Sequence, residues 1–309
     1  MFFAKKNPLK GRDIISIHDL SKEDILYLLH QAADLATYNP RLLPDKIIAS
    51  LFFEPSTRTR LSFDAAAKRL GAQVIGFDNI ETTSLKKGES FKDTIKMIEQ
   101  YADVIVIRHP KEGSAQLAAD LSHVPVINAG DGSNQHPTQT LVDLYTIKKE
   151  KGKLEGLTVG FLGDLKFGRT VHSLASALGL FNANIVFIAP KGLEMPEEYL
   201  KELQSKSVNF SQTSDLQSVA QTLDVLYVTR IQEERFKNKK DYKKVAGSYT
   251  ISKELLANFK QDVLVMHPLP RLEEINQDVD DTPNQGYFKQ AGNAVAVRKA
   301  ILASVLGRV

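Results

Sequence analysis

Ile47-Ile48-Ala49-Ser50-Leu51-Phe52-Phe53 reads as a buried strand, and Leu61-Ser62-Phe63-Asp64-Ala65-Ala66-Ala67-Lys68-Arg69-Leu70 carries apolar residues at helical spacing. Between them lies Ser56-Thr57-Arg58-Thr59-Arg60. A strand that becomes a helix through hydroxyls and guanidiniums is suited to an oxyanion. The first helical turn offers N–H groups without intrahelical acceptors, and the helix dipole favours negative charge there. Arginine adds planar donors matched to phosphate oxygens. Serine and threonine also cap ordinary solvated helices. Two arginines interleaved with hydroxyls, directly after a buried strand, favour the anion site.

Outward from this turn, strand-like and helix-like segments alternate. Strands are expected near 46–53, 73–77, 103–107 and 124–128, with helices near 60–70, 90–101 and 114–121 between them. Ser21-Lys22-Glu23-Asp24 has the pattern of a capped start to a helix reaching about Ala36. The second half repeats the pattern, with strands near 157–162, 184–189, 224–229 and 262–266 and helices near 168–179, 195–204 and 215–222. Apolar strands separated by helices make βαβ units and parallel sheets, so the fold class is α/β. The division falls in a helix starting near His136 and ending in the charged run from Lys148 to Lys153. A long alanine-rich helix is expected over 287–306.

The chain's 309 residues suffice for two domains, and 42% hydrophobic with 25% charged residues is a globular balance. No apolar run reaches membrane-spanning length, and Met1-Phe2-Phe3-Ala4-Lys5-Lys6 is too short for a signal peptide. A cytoplasmic protein that does not bind membranes is expected. The absence of cysteine removes disulfides, thiolate metal sites and cysteine nucleophiles. Seven scattered histidines lack metal-motif spacing, so no metal is expected. A net charge of +3, with no aromatic-basic platform, does not point to nucleic acid.

Four further segments place polar residues after apolar strands: Arg108-His109-Pro110, the run from Asn128 to Gln139, Thr229-Arg230-Ile231-Gln232, and His267-Pro268-Leu269-Pro270. A parallel sheet gathers its carboxyl ends at one edge, where ligands bind. His136-Pro137-Thr138-Gln139 sets an imidazole and an amide near a helix start, with proline in the first turn. On its own, His136 would more often be structural. Gly163-Asp164-Leu165-Lys166-Phe167-Gly168-Arg169 also joins a strand to a helix, but its spacing is not that of a dinucleotide loop. Ser84-Leu85-Lys86-Lys87-Gly88-Glu89-Ser90 reads, in isolation, as a solvated turn.

Together, FEPSTRTRLSF, SLKKGES, RHP, GDGSNQHPTQTL, GDLKFGRTVHSL, YVTRIQ and HPLPR, in this order, resemble the aspartate/ornithine carbamoyltransferase superfamily and, within it, aspartate carbamoyltransferase catalytic chains. The resemblance runs from about residue 10 to the C-terminus. It implies two doubly wound parallel-sheet domains, the carbamoyltransferase fold. Residues 1–135 with the C-terminal helix 287–309 form a carbamoyl-phosphate domain, 136–152 a linking helix, and 153–286 an aspartate domain.

The implied reaction carbamoylates the amine of L-aspartate, the carbamoyl-group transfer of pyrimidine biosynthesis, without metal or cofactor. The implied roles are these. Ser56, Thr57, Arg58 and Thr59 hold the phosphate; Arg108, His136 and Thr59 address the carbonyl oxygen. Gln139 and the carbonyls of Pro268 and Leu269, beside Pro270, hold the carbamoyl nitrogen. Arg169 and Arg230 bind the aspartate carboxylates with Lys87, and Gln232 stands nearby. Glu54 orients arginines. Family members form homotrimers in which Ser84 and Lys87 reach a neighbouring subunit's site, and some join separate regulatory chains.

Ornithine carbamoyltransferases share the phosphate cradle but carry a Ser-Met-Gly loop and a cysteine beside the catalytic proline. Here those segments read YVTRIQ and HPLP, and a guanidinium at Arg230 suits a side-chain carboxylate. A non-catalytic scaffold that kept the fold would be expected to lose the phosphate arginine or the histidine; Arg58 and His136 are both present.

Overall fold

The computed structural model describes residues 7–231, 236, 238, 242, 243 and 245–309. The chain forms two compact units, one comprising the residues up to Tyr145 together with Gly292–Val309, the other Thr146–Ala291. In the first unit, α1 (Lys22–Ala36) precedes β1 (Ile47–Phe52), α2 (Thr57–Arg69), β2 (Gln73–Phe77), α3 (Phe91–Ile98), β3 (Val104–His109), α4 (Ser114–Leu121) and β4 (Val126–Asp131). The four strands form a parallel sheet in the order β2-β1-β3-β4. β1 and β3 bury continuous apolar runs, whose Leu51, Ile105 and Ile107 pack with Ile95 of α3 and Ala118 of α4. β2 is an edge strand, and its burial is only partial.

In the second unit, β5 (Thr158–Leu162), α6 (Arg169–Gly179), β6 (Asn184–Ile188), α7 (Glu197–Ser205), β7 (Phe210–Thr213), β8 (Val225–Val228), α8 (Lys253–Leu256) and β9 (Leu264–Met266) follow in turn. Their parallel sheet has the order β7-β6-β5-β8-β9. Two helices cross the division along the chain: α5 (Pro137–Lys151) and α9 (Tyr287–Val305). The fold is therefore α/β with two doubly wound parallel sheets.

Two segments differ from the sequence reading. No α-helix covers 215–222. The Asp215 carboxylate accepts from Gln217 N at 3.0 Å, and Ser218 Oγ donates back to Asp215 O at 2.8 Å. These bonds cap a single turn, and beyond it Val219, Ala220, Thr222 and Leu223 N–H bond to carbonyls three residues back, giving turns and a 3-10 turn at Ala220–Thr222 in place of an α-helix. The strand β7 was not foreseen. Its Phe210-Ser211-Gln212-Thr213 is a polar edge segment, without the apolar run of a buried strand.

The strand orders decide where ligands can enter. In the first sheet the winding reverses between β1 and β3, and in the second between β5 and β8. At such a point the loops leaving neighbouring strands diverge and open a crevice at the carboxyl ends. The arginine-bearing segments follow β1, β5 and β8, and Arg108 stands at the end of β3.

Candidate active site

In the first unit the crevice is lined by the turns after β1 and β3. Serines precede α1, α3 and α8, and the hydroxyls of Ser21, Ser90 and Ser252 each accept a backbone N–H. Ser56 precedes α2 but makes no such capping bond. The start of α2 thus keeps its first-turn N–H groups for another acceptor. Thr57 and Arg58 are exposed, Ser56 is half-buried and Thr59 is buried.

Arg108 lies opposite Phe52, the last residue of β1. Its Nη2 is 2.7 Å from Glu54 Oε1, and Nη1 donates to Ala129 O at 3.4 Å. Its Nε is buried with no hydrogen-bond partner among the described residues. Burial lowers the Arg108 pKa, and Glu54 opposes that shift. Burial lowers Arg58 too, and the positive charge of Arg108 adds to the effect. Two guanidiniums that repel each other beside a crevice are arranged to suit an anion.

The loop after β4 completes this half. The Asp131 carboxylate accepts from Asn128 Nδ2, Gln135 N, Gly113 N and Asn134 Nδ2, at 2.8–3.1 Å. His136 is buried, and its Nδ1 is 3.4 Å from Thr138 Oγ1. Pro137 takes the first position of α5, as the sequence predicts. Gln139 Nε2 donates to Asp143 Oδ1 at 2.8 Å. His109 serves the scaffold: its Nδ1 accepts from Lys111 N at 3.0 Å, and its ring packs on Phe53 and Phe91. Ser84 and Lys87 stand exposed on a 3-10 turn after β2.

Sequence reasoning missed Arg298. It is completely buried in α9, donates to Ser62 Oγ and lies over the Phe63 ring at 4.8 Å. Burial pushes its pKa down to about 9; Asp143 opposes the shift and Arg108 reinforces it. The signal was an arginine directly after the apolar run Ala294-Val295-Ala296-Val297 and before Lys299-Ala300-Ile301-Leu302.

In the second unit the crevice lies after β5 and β8. Gly163 has φ +116°, and a Cβ there would meet Thr229 O at 2.3 Å, so glycine lets the two loops touch. Thr229 Oγ1 donates to Leu162 O at 3.1 Å. Asp164 Oδ1 accepts from Phe167 N, and His172 Nε2 meets Leu165 O at 2.7 Å; both bonds shape the loop that delivers Arg169 to the start of α6. Arg230 lines a cleft of about 310 Å³ with Gly163, Tyr242, Tyr249 and Glu274. Gln232 lies outside the described residues.

After β9, buried His267 is held through Nδ1 with Glu274 close to Nε2. Nδ1 accepts from Leu269 N at 2.8 Å, which leaves the proton on Nε2, 2.8 Å from Glu274 Oε1. Burial raises the Glu274 pKa, but the His267 contact and charge together with backbone N–H donors, including Leu272 N, hold the carboxyl below its usual range. Leu269 adopts φ +57° before a cis peptide to Pro270. Pro268 and Leu269 are half-buried, and Pro270 is exposed. Arg271 forks onto Asp280 with 2.5 Å bonds just beyond.

Among the described residues no group of three or more His, Asp or Glu side chains is placed to hold a metal, and no helix is long and apolar enough to cross a membrane. The chain matches the aspartate/ornithine carbamoyltransferase carbamoyl-P binding domain over residues 12–149 and the Asp/Orn binding domain over 155–305. It is 56% identical to the aspartate carbamoyltransferase catalytic subunit of Thermococcus kodakarensis over 303 residues, covering 96% of this chain and 98% of that one. Among solved structures it resembles the catalytic subunit of M. jannaschii aspartate transcarbamoylase, with TM-score 0.90, 49% identity, and 96% and 98% coverage. It also resembles Trypanosoma cruzi aspartate transcarbamoylase in complex with carbamoyl phosphate and aspartate, with TM-score 0.92, 40% identity, and 97% and 98% coverage.

Proposed function

The chain belongs to the aspartate/ornithine carbamoyltransferase family, and from that premise we propose that it transfers the carbamoyl group of carbamoyl phosphate to the amine of L-aspartate. The products are N-carbamoyl-L-aspartate and phosphate. The observation that carries this reading is the pair Arg58 and Arg108, at the switch point of the first sheet beside an uncapped helix start.

Residues 1–135 with 287–309 take carbamoyl phosphate, 136–152 link, and 153–286 take aspartate. Ser56, Thr57, Arg58 and Thr59 hold the phosphate. When the neutral amine attacks the carbamoyl carbon, the carbonyl oxygen gains negative charge, and Arg108, His136 and Thr59 stabilise it. Loss of one such donor typically costs about 100- to 1,000-fold in rate. The departing phosphate accepts the proton that the amine sheds, so no protein nucleophile is needed. Gln139, with the carbonyls of Pro268 and Leu269, takes the carbamoyl nitrogen. Arg169 and Arg230 take the two carboxylates of aspartate, and binding both substrates turns a bimolecular step into an intramolecular one.

The same reading makes the protein a homotrimer in which Ser84 and Lys87 serve a neighbouring copy, and their exposure supports this role. The same reading places the enzyme in the cytoplasm. The test is colorimetric detection of carbamoylated product from carbamoyl phosphate with L-aspartate or L-ornithine. Product from aspartate alone is expected. Product from ornithine, or from neither amine, overturns the assignment.

A further inference from the structure

The neighbours of Gln139 dictate the orientation of its amide. Asp143, one turn along α5, is fully buried and receives Gln139 Nε2 at 2.8 Å. A carboxylate has no proton to give, so the amide NH2 faces Asp143 and the Oε1 arm points elsewhere, as an acceptor. Inside a protein a carboxylate is compensated by a cation or by hydrogen-bond donors. Gln139 supplies one donor, and the buried Arg298 guanidinium lies near enough for its charge to act on Asp143.

Arg298 is itself locked. Its Nη1 holds Ser62 Oγ, and Ser62 Oγ in turn meets the carbonyls of Arg58 and Thr59. The Phe63 ring covers the guanidinium face. One buried cation thus links the phosphate turn to the helix that carries Gln139.

We propose that Arg298 and Asp143 are positioning residues that hold Gln139 with its carbonyl oxygen as the acceptor, so that the site selects a carbamoyl over an acetyl group. This rests on the reading of Gln139 given above. A carbamoyl NH2 donates to Oε1. A methyl group of the same size cannot, and it leaves a buried acceptor unsatisfied. With the amide reversed, two NH2 groups would face each other and the preference would vanish.

Two stable phosphonates test this on the full-length protein by titration calorimetry: phosphonoacetamide, ending in NH2, and acetonylphosphonate, ending in CH3. The wild type is expected to bind the amide about tenfold tighter or more. In Asp143→Asn, which keeps the shape but can present either polar arm, the two affinities should converge to within about threefold, through weaker amide binding alone. Arg298→Met should act in the same direction; if that buried substitution does not fold, Asp143→Asn carries the test. In a Gln139→Ala background Asp143→Asn should leave the ratio unchanged, because the group it positions is gone.

An unaltered ratio in Asp143→Asn, equal loss of both ligands, or no preference in a wild type that still makes N-carbamoyl-L-aspartate overturns this inference alone. A wild type that binds neither phosphonate and makes no product overturns the proposed function instead.

Discussion

Arg108 is 15% exposed beside the cationic Arg58, and the carboxylate against it is Glu54, itself 27% exposed. Without ligand, Glu54 offsets one of two repelling charges; a bound phosphate dianion would offset both. Glu54→Gln removes the negative charge and keeps the shape. Breaking a fully buried pair costs about 3–5 kcal/mol, and partial exposure here reduces the expected loss to about 1–2 kcal/mol. The ligand-free variant should therefore melt below the wild type. Inorganic phosphate should raise its melting temperature by more than it raises the wild type's, because phosphate then supplies the missing charge. Thermal melts with and without phosphate decide this. An unchanged ligand-free melt, or an equal gain from phosphate, would show that Arg108 does not depend on Glu54.

The edge pairing of β2 on β1 turns on one glycine. Gly76 has φ +139°, and an added Cβ would lie 2.0 Å from Ser50 O in the facing strand. Gly113, in the same unit, has φ +76° with nothing within 4 Å. Gly113→Ala should cost about 1–2 kcal/mol for the backbone alone. Gly76→Ala adds a backbone collision and should cost about 2–5 kcal/mol. Urea unfolding of both variants checks the order, and equal midpoints would refute a close approach at Gly76. Elements of this kind were legible in the sequence to different depths. β1, β3, β5 and β8 announce themselves as apolar runs, and the Ser56–Arg60 turn is legible because it follows one of them. β7 is silent because an exposed edge strand needs no apolar face. Helix 215–222 was misread because Asp215 does cap a first turn, but the backbone beyond it closes on carbonyls three residues back instead of four. The pairing of Arg298 with Ser62 joins residues 236 positions apart, and no local pattern encodes such a contact.

At the scale of the assembled molecule, the proposed trimer makes a prediction that no single chain can satisfy. Each site would take Arg108 from one copy and Lys87 from the next. Lys87→Ala and Arg108→Ala, prepared separately, should each lose most activity, since each spoils every site of its own trimer. Mixed in equal amounts, dissociated and reassembled, they form hybrids. A site is intact where a copy retaining Arg108 adjoins a copy retaining Lys87, which random assembly gives at about one site in four. Activity should rise to about a quarter of the wild-type value per site. If Lys87 served the site of its own chain, every site in every hybrid would carry one of the two lesions, and mixing would restore nothing. Exposure of Lys87 on its 3-10 turn is compatible with a role in a neighbouring copy. A recovery well below that fraction, in hybrids shown by mass spectrometry to have formed, would remove the shared site from the proposed function and leave the chemistry of the single chain intact.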